Sequence, residues 1–317
     1  MFTVQSEPFD SLTLYRLRNE ETGEYVSIVG DYGAIIHRLS LLTEDDQLIQ
    51  VIDGYETAEQ LLAEGSRSFK GSLLFPFPNR VKDGRYTFDG KSYQLPINET
   101  DRGHALHGHL HNAAFEVVAE GASETGAFLI LEYEADGKAE GYPFQYLLNL
   151  DFRLNEEGFS CKTVVQNLTE SDIPIGIGYH PYFRLGDNAD EWLLKLPVEA
   201  QLELDERLIP NGKESVDTRY QEFSPVKEVL DHAYRVHSTE GEAITQLVNP
   251  SRNVTLTMWQ RTGLDQFNYL QVFTPESRRS IALEPMTGAP DAFNNEQGLI
   301  RLAPDQMLEA TFGVRLE

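Results

Sequence analysis

An all-β architecture, a large antiparallel sandwich or barrel with few short helices, is what this sequence predicts. Three observations carry the expectation. Apolar and polar residues alternate with a period of two along most of the chain, the pattern of strands buried on one face and solvated on the other. Turn signals divide the alternating runs every ~10–15 residues, as in antiparallel sandwiches and barrels. Helical periodicity is nearly absent.

The elements follow in chain order. Thr57-Ala58-Glu59-Gln60-Leu61-Leu62-Ala63-Glu64, closed by Gly65, is the best helical stretch, with Thr57 placed to cap it. Two turns of helix cannot cover a parallel sheet. Arg85–Phe88 and Lys91–Leu95 flank Asp89-Gly90, a pair that readily supplies the two positive-φ residues of a type I′ hairpin turn. Phe144, Tyr146, Leu148, Leu150, Phe152 and Leu154 alternate with more polar residues. Asn155-Glu156-Glu157-Gly158 then turns the chain into a second strand, Phe159 to Leu168. The last run, Leu308, Ala310, Phe312, Val314 and Leu316 against Glu309, Thr311, Gly313 and Arg315, reads as a half-buried strand.

No low-complexity linker, composition step or convincing internal repeat interrupts the 317 residues, so a single domain over 1–317 is expected. With 26 Lys+Arg against 51 Asp+Glu the net charge is −25, which excludes nucleic acid and anionic membrane surfaces as natural partners, since both are bound through clustered cations. Cys161 is the only cysteine, so an intrachain disulfide or a Cys-based zinc site cannot form. The start, Met1-Phe2-Thr3-Val4-Gln5-Ser6-Glu7, has no basic region leading into an apolar core, and no stretch approaches the ~18 apolar residues of a membrane span. A cytoplasmic protein acting on a small molecule is the expectation; its oligomeric state is left open.

Three segments carry candidate chemistry. Four of the eight histidines fall in Gly103-His104-Ala105-Leu106-His107-Gly108-His109-Leu110-His111. His107, His109 and His111 with Glu116 resemble the His-x-His-x4-Glu spacing of cupin metal sites, but no second cupin motif follows, and hydrogen-bonding loop histidines are the plain alternative. Ile173 to Leu185 is an apolar run that delivers His180 at a strand end beside Tyr182 and Phe183, where a histidine can act as acid or base or simply pack in the core. Ser280 to Asn294 is an apolar strand that ends in Glu284 and breaks into a Pro/Gly loop, the place where strands hand side chains to a cleft. Arg80 in Phe75-Pro76-Phe77-Pro78-Asn79-Arg80 and Asp231 in Leu230-Asp231-His232-Ala233-Tyr234 are further candidates, each weak alone.

Taken in order, these motifs resemble the aldose 1-epimerase (galactose mutarotase) family over about residues 10 to 316. The carriers are Asn79-Arg80, Gly84 to Asn98, Leu106-His107-Gly108, Asn167-Leu168-Thr169 leading to His180-Pro181-Tyr182-Phe183, Leu230 to Tyr234, and Ala282-Leu283-Glu284 with Pro290-Asp291-Ala292-Phe293-Asn294. The resemblance implies a β-supersandwich with an open cleft and an isomerase of carbohydrate metabolism that interconverts the anomers of a free, neutral aldose. It implies Glu284 as general base on the anomeric hydroxyl, His180 as general acid to the ring oxygen, and His107, Arg80 and Asp231 as residues that hold the sugar. No cofactor and no metal is implied. Two other readings stand beside it: a non-catalytic sugar-binding or sensing protein on the same scaffold, and a cupin-like metal protein.

Overall fold

The computed structural model describes residues 1–236 and 239–317. Its alternating segments become antiparallel sheet. A nine-stranded sheet runs in the order Glu116–Ala122, Gly126–Asp136, Gln145–Asn155, Gly158–Asn167, Met307–Leu316, Val254–Thr262, Gly241–Asn249, Leu193–Lys195 and Ser224–Pro225. The hairpin read between residues 144 and 168 is present, with Asn155 opposite Gly158 and Glu156-Glu157 at the turn. In the last strand Ala310, Phe312 and Val314 are buried while Glu309 and Arg315 are exposed, as period two requires.

An eight-stranded sheet orders Pro210–Ser215, Val198–Leu204, Asp231–Val236, Tyr269–Phe273, Ile281–Met286, Gly178–Tyr179 and Leu73–Leu74, with Tyr182–Phe183 also paired to Ile281–Met286. One hydrophobic cluster joins the two large sheets. Tyr179 shows how: its ring lies 4.7 Å from that of Phe312, and its hydroxyl meets Thr163 Oγ1 at 2.5 Å. Cys161 Sγ also reaches that hydroxyl at 3.2 Å, and burial pushes the thiol well above its ordinary pKa, so this cysteine is a core residue. Burying each such large side chain stabilises the fold by roughly 1.5–3 kcal/mol.

A five-stranded sheet, Phe2–Phe9 to Leu48–Gln50, precedes the helix Ala58–Ser68. Thr57 caps this helix by accepting from the Gln60 N–H at 3.1 Å, as expected. Gly65 does not end it. The helix runs on to Ser68 and closes at Phe69, a left-handed residue whose N–H returns to the Gly65 carbonyl. Gly65 serves close approach instead, because a Cβ there would come within 3.1 Å of Leu61 and 3.3 Å of Tyr32. The Asp89-Gly90 turn has φ of 48° and 75°, so the hairpin Arg85–Phe88/Lys91–Gln94 takes the primed turn its sequence asks for. No described helix is long and apolar enough to cross a membrane.

Candidate functional site

Glu284 lies within Ile281–Met286, a strand near the middle of the eight-stranded sheet whose six residues are all buried. The expectation that the strand ends at Glu284 is therefore two residues short: Pro285 and Met286 stay in the ladder opposite Leu270 and Tyr269. His180 occupies the break between Gly178–Tyr179 and Tyr182–Phe183, where its main chain is held by Ser72 O (3.0 Å) and Gly71 N (2.9 Å). These two distant segments meet. His180 Nε2 is 3.4 Å from Glu284 Oε1, both side chains are buried, and the Tyr182 ring stacks on the imidazole at 4.9 Å and 10°.

His107 completes the group. It follows Ala105–Leu106, which pairs with Arg80–Val81, so the ladder itself sets His107 beside Asn79. The His107 N–H donates to Asn79 O (2.8 Å) and the Asn79 N–H donates to His107 Nδ1 (3.2 Å). Both residues are left-handed, with φ of 61° and 55°, a region that His and Asn tolerate better than most residues. Gly108 comes next at φ 68°, where a Cβ would lie 2.0 Å from Phe75 O, so only glycine fits. One nitrogen each from His107 and His180 and one Glu284 oxygen lie within 4.8 Å of one another.

Arg80 is clamped by Glu99 through two 2.8 Å hydrogen bonds, Nε to Oε2 and Nη2 to Oε1, and its Nη1 donates to Asn79 Oδ1 at 3.2 Å. Three of its five N–H groups are thus used, which leaves two for a ligand. Asp231 opens the strand Asp231–Val236 and accepts from Gln271 Nε2 at 2.6 Å; Gln271 Oε1 accepts from Asn79 Nδ2 at 3.3 Å. The chain Arg80–Asn79–Gln271–Asp231 therefore ties together two of the three candidate sugar-holding residues. Asp291 braces the same place: its N–H donates to Arg80 O (2.7 Å) and its Oδ1 accepts from Lys82 N and Asn294 Nδ2.

Burial sets the electrostatics. It lowers His180 to about 3 and holds His107 well below 6.5, the latter aided by the charges of His180 and Arg80. It raises Glu284 well above the usual carboxylate range, with the Asp231 charge adding to the rise and Arg80 opposing it. Asp231 is raised by burial too. Glu284 Oε2 and His180 Nδ1 are buried without a hydrogen-bond partner in the protein.

The cupin-like set does not assemble. Neither His109, His111 nor Glu116 joins the grouping of His107, His180 and Glu284. His109 Nε2 sits 3.3 Å from the Tyr146 hydroxyl, His111 packs edge-on against Phe69 at 5.0 Å, and Glu116 is exposed. His109 and His111 are loop histidines, as the plain alternative has it, and both line a mostly apolar cavity of about 320 Å³ with Phe77, Leu95, Pro96 and Ala139. Sequence reasoning assigned no role to Asn79, Glu99 or Gln271. A signal existed for Gln271, an amide in the apolar run Tyr269-Leu270-Gln271-Val272-Phe273 that lands opposite Glu284. Glu99, 19 residues from Arg80 in a loop, offered none.

Comparisons with known proteins bear on the family and the fold. The family model described as aldose 1-epimerase matches residues 13–315. An uncharacterized protein of Escherichia coli strain K12, YihR, is 30% identical over 242 residues, covering 73% of this chain and 74% of its own length. The galactose mutarotase of Rattus norvegicus is 25% identical over 202 residues, 62% of this chain and 56% of that protein. A crystal structure of a galactose mutarotase-like protein from Clostridium acetobutylicum superposes with a TM-score of 0.88 at 19% identity, covering 100% of this chain and 98% of that one. That likeness establishes the galactose mutarotase-like β-supersandwich fold, and the match of the family model over nearly the whole chain shows that this protein belongs to the aldose 1-epimerase family.

Proposed function

We propose that the protein interconverts the α and β anomers of a free, neutral aldose by acid–base opening and closing of the sugar ring. The observation that carries this reading is the buried Glu284–His180 pair, 3.4 Å apart and with one polar atom of each left unpartnered. Ring opening needs one proton taken from the anomeric hydroxyl and one given to the ring oxygen; closure after rotation about C1–C2 reverses both. Glu284 is the base and His180 the acid. Burial disfavours the charged form of both groups, lowering His180 and raising Glu284. Hydrogen bonds from a bound sugar favour the carboxylate form of Glu284, and with it the protonated His180 that gives its proton to the ring oxygen. His107, Arg80 and Asp231 hold ring oxygen and hydroxyls, and fixing the sugar against the pair adds to the ~10²–10⁴ that positioned acid–base groups contribute.

Polarimetry of freshly dissolved α-glucose and α-galactose tests this. Mutarotation is expected to exceed the spontaneous rate for at least one common aldose and to survive exhaustive chelation. Spontaneous rates across an aldose panel, with sugar binding retained, would favour a sugar-binding or sensing protein instead.

A neutral substrate follows from the pairing of nearby cations. Arg80 is held by Glu99, Lys70 by Asp53 at 2.7 Å, and Arg184 by Asp187 at 3.1 Å with Asp53 at 3.8 Å. A sugar phosphate would have to compete with these carboxylates for the cations inside a molecule of net charge −25. At low salt kcat/KM is expected to be higher for glucose or galactose than for glucose 6-phosphate; a preference for the phosphate that Arg184→Ala abolishes would reverse this assignment.

A further inference from the structure

His107, His180 and Glu284 have the composition of a two-histidine, one-carboxylate metal site, and their candidate ligand atoms are close enough to share an ion. The surroundings of His107 decide against that use. A metal-ligating histidine presents a lone pair on one nitrogen and an N–H on the other, and the N–H is met by a carbonyl, carboxylate or water. His107 has the opposite arrangement: its Nδ1 faces the main-chain N–H of Asn79 at 3.2 Å. Moving the ring proton to Nδ1 would set two hydrogens face to face in a buried site and leave the Asn79 N–H without an acceptor.

We propose that Asn79 is a positioning residue whose main-chain N–H fixes His107 as the Nε2–H tautomer, so that His107 enters the cleft as a hydrogen-bond donor to a sugar oxygen and not as a base or a metal ligand. The geometry behind this is over-determined. The reciprocal bond from His107 N to Asn79 O closes a ring between the two residues, Leu106 pairs with Arg80 just beyond it, and Gly108 anchors the other side by its close approach to Phe75 O. Asn79 is held in turn through its side chain, which accepts from Arg80 Nη1 and donates to Gln271. The ring is neutral at physiological pH because it is buried beside His180 and Arg80, so the position of its single proton is the quantity that matters. The division of labour follows: of three clustered groups, one donates permanently, and the mobile proton is confined to His180 and Glu284. This inference rests on the sugar-site reading above only for the identity of the acceptor.

The test uses the full chain labelled with ¹⁵N-histidine. The His107 ring is assigned by its loss in His107→Gln, and two-bond ¹H–¹⁵N correlations read its tautomer at neutral pH. The Nε2–H pattern is expected, unchanged by equimolar Zn²⁺ and retained in Asn79→Gly, which keeps the N–H and the left-handed backbone while removing the side chain. An Nδ1–H pattern, or a His107 signal displaced by zinc, overturns the proposal. Kinetics supply a second arm. Gln places an amide N–H near the position of Nε2 and Asn places one near Nδ1, so His107→Gln is expected to keep about tenfold more kcat/KM than His107→Asn, with most of the Gln loss in KM. Equal losses in both, falling on kcat, overturn it as well. Absence of any aldose turnover with the Nε2–H pattern intact would count against the proposed function and leave the tautomer assignment standing.

Discussion

Replacing Glu284 with Gln, or separately His180 with Asn, is expected to lower the turnover number by about two orders of magnitude or more while leaving the protein folded. Glu284→Gln is isosteric, and His180→Asn keeps a polar amide at the ring's base, but each removes a group that exchanges a proton in the transition state. The two losses will not add, because neither group can complete the reaction without its partner, 3.4 Å away. Folding is expected to survive, since an amide in place of Glu284 relieves the cost of a buried ionisable group whose carboxyl is already pushed towards its neutral form. His109→Ala and His111→Ala are the comparison. Both side chains line the separate cavity beside Leu95 and Ala139, so their removal should act on stability and leave kcat within a few-fold of the parent. A loss in either that matches Glu284→Gln would move the chemistry to the histidine loop. The pH profile of kcat/KM sharpens the test: the pair is competent with one proton, and His180 gains a second only near pH 3, so the acid limb should fall well below the 6.5 of an ordinary histidine. A limb centred near 6.5 would show that another group governs activity.

Acid should unfold this protein earlier than its carboxylates alone would require. Burial lowers His37 and His109 to about 4 and His180 to about 3, and it also lowers His104, His107 and His111. For a histidine whose folded pKa lies below its unfolded value, stability is complete above about 6.5 and is lost as pH falls, because the unfolded chain takes up a proton that the fold refuses. At pH 5 each of the three with a folded pKa near 4 or lower forfeits ~2 kcal/mol, ~6 kcal/mol together. Glu284 acts in the other direction: its raised carboxyl binds a proton in the fold that the unfolded chain has released, which returns ~1.4 kcal/mol per pH unit while the pH lies between the unfolded value and the raised folded one. The net is expected to be a loss between pH 7 and pH 5, deepened by the other lowered histidines and offset in part by the raised carboxyls of Asp231 and Asp291. Urea titrations at pH 7 and 5 check the sum, and His109→Asn isolates one contribution by reducing the pH dependence by ~2 kcal/mol. Stability that is unchanged at pH 5, with an unaltered slope in His109→Asn, would contradict the buried neutral histidines.

The sequence by itself determined the secondary-structure class, because strand burial is written locally. The alternation in Gln145–Asn155 and Met307–Leu316, the Asp89-Gly90 turn and the Thr57 cap depend on residues a few positions apart, and each is found where its pattern lies. Local pattern marked out His107, His180 and Glu284 as polar groups in apolar or turn-bounded motifs, whereas Arg80 and Asp231, and the roles of all five candidates, came from the resemblance to the aldose 1-epimerase family. Their relation to one another was not legible. Glu284 and His180 are 104 positions apart and become neighbours only because Tyr182–Phe183 and Gly178–Tyr179 both pair with Ile281–Met286. The histidine run divides, with His107 turned to the cleft group and His109 and His111 to the cavity wall, because left-handed backbone at His107 and Gly108 breaks the alternation that spacing alone would assume. The roles of Glu99, Gln271 and the Asn79 main chain were not legible for a related reason, even though the amide of Gln271 stands out in its apolar run: each acts by a hydrogen bond to a group brought near by another segment, and no local pattern records which segment that will be. Burial, which shifts the ionisable groups and leaves Glu284 Oε2 and His180 Nδ1 without a hydrogen-bond partner in the protein, exists only once the sheets have closed over them.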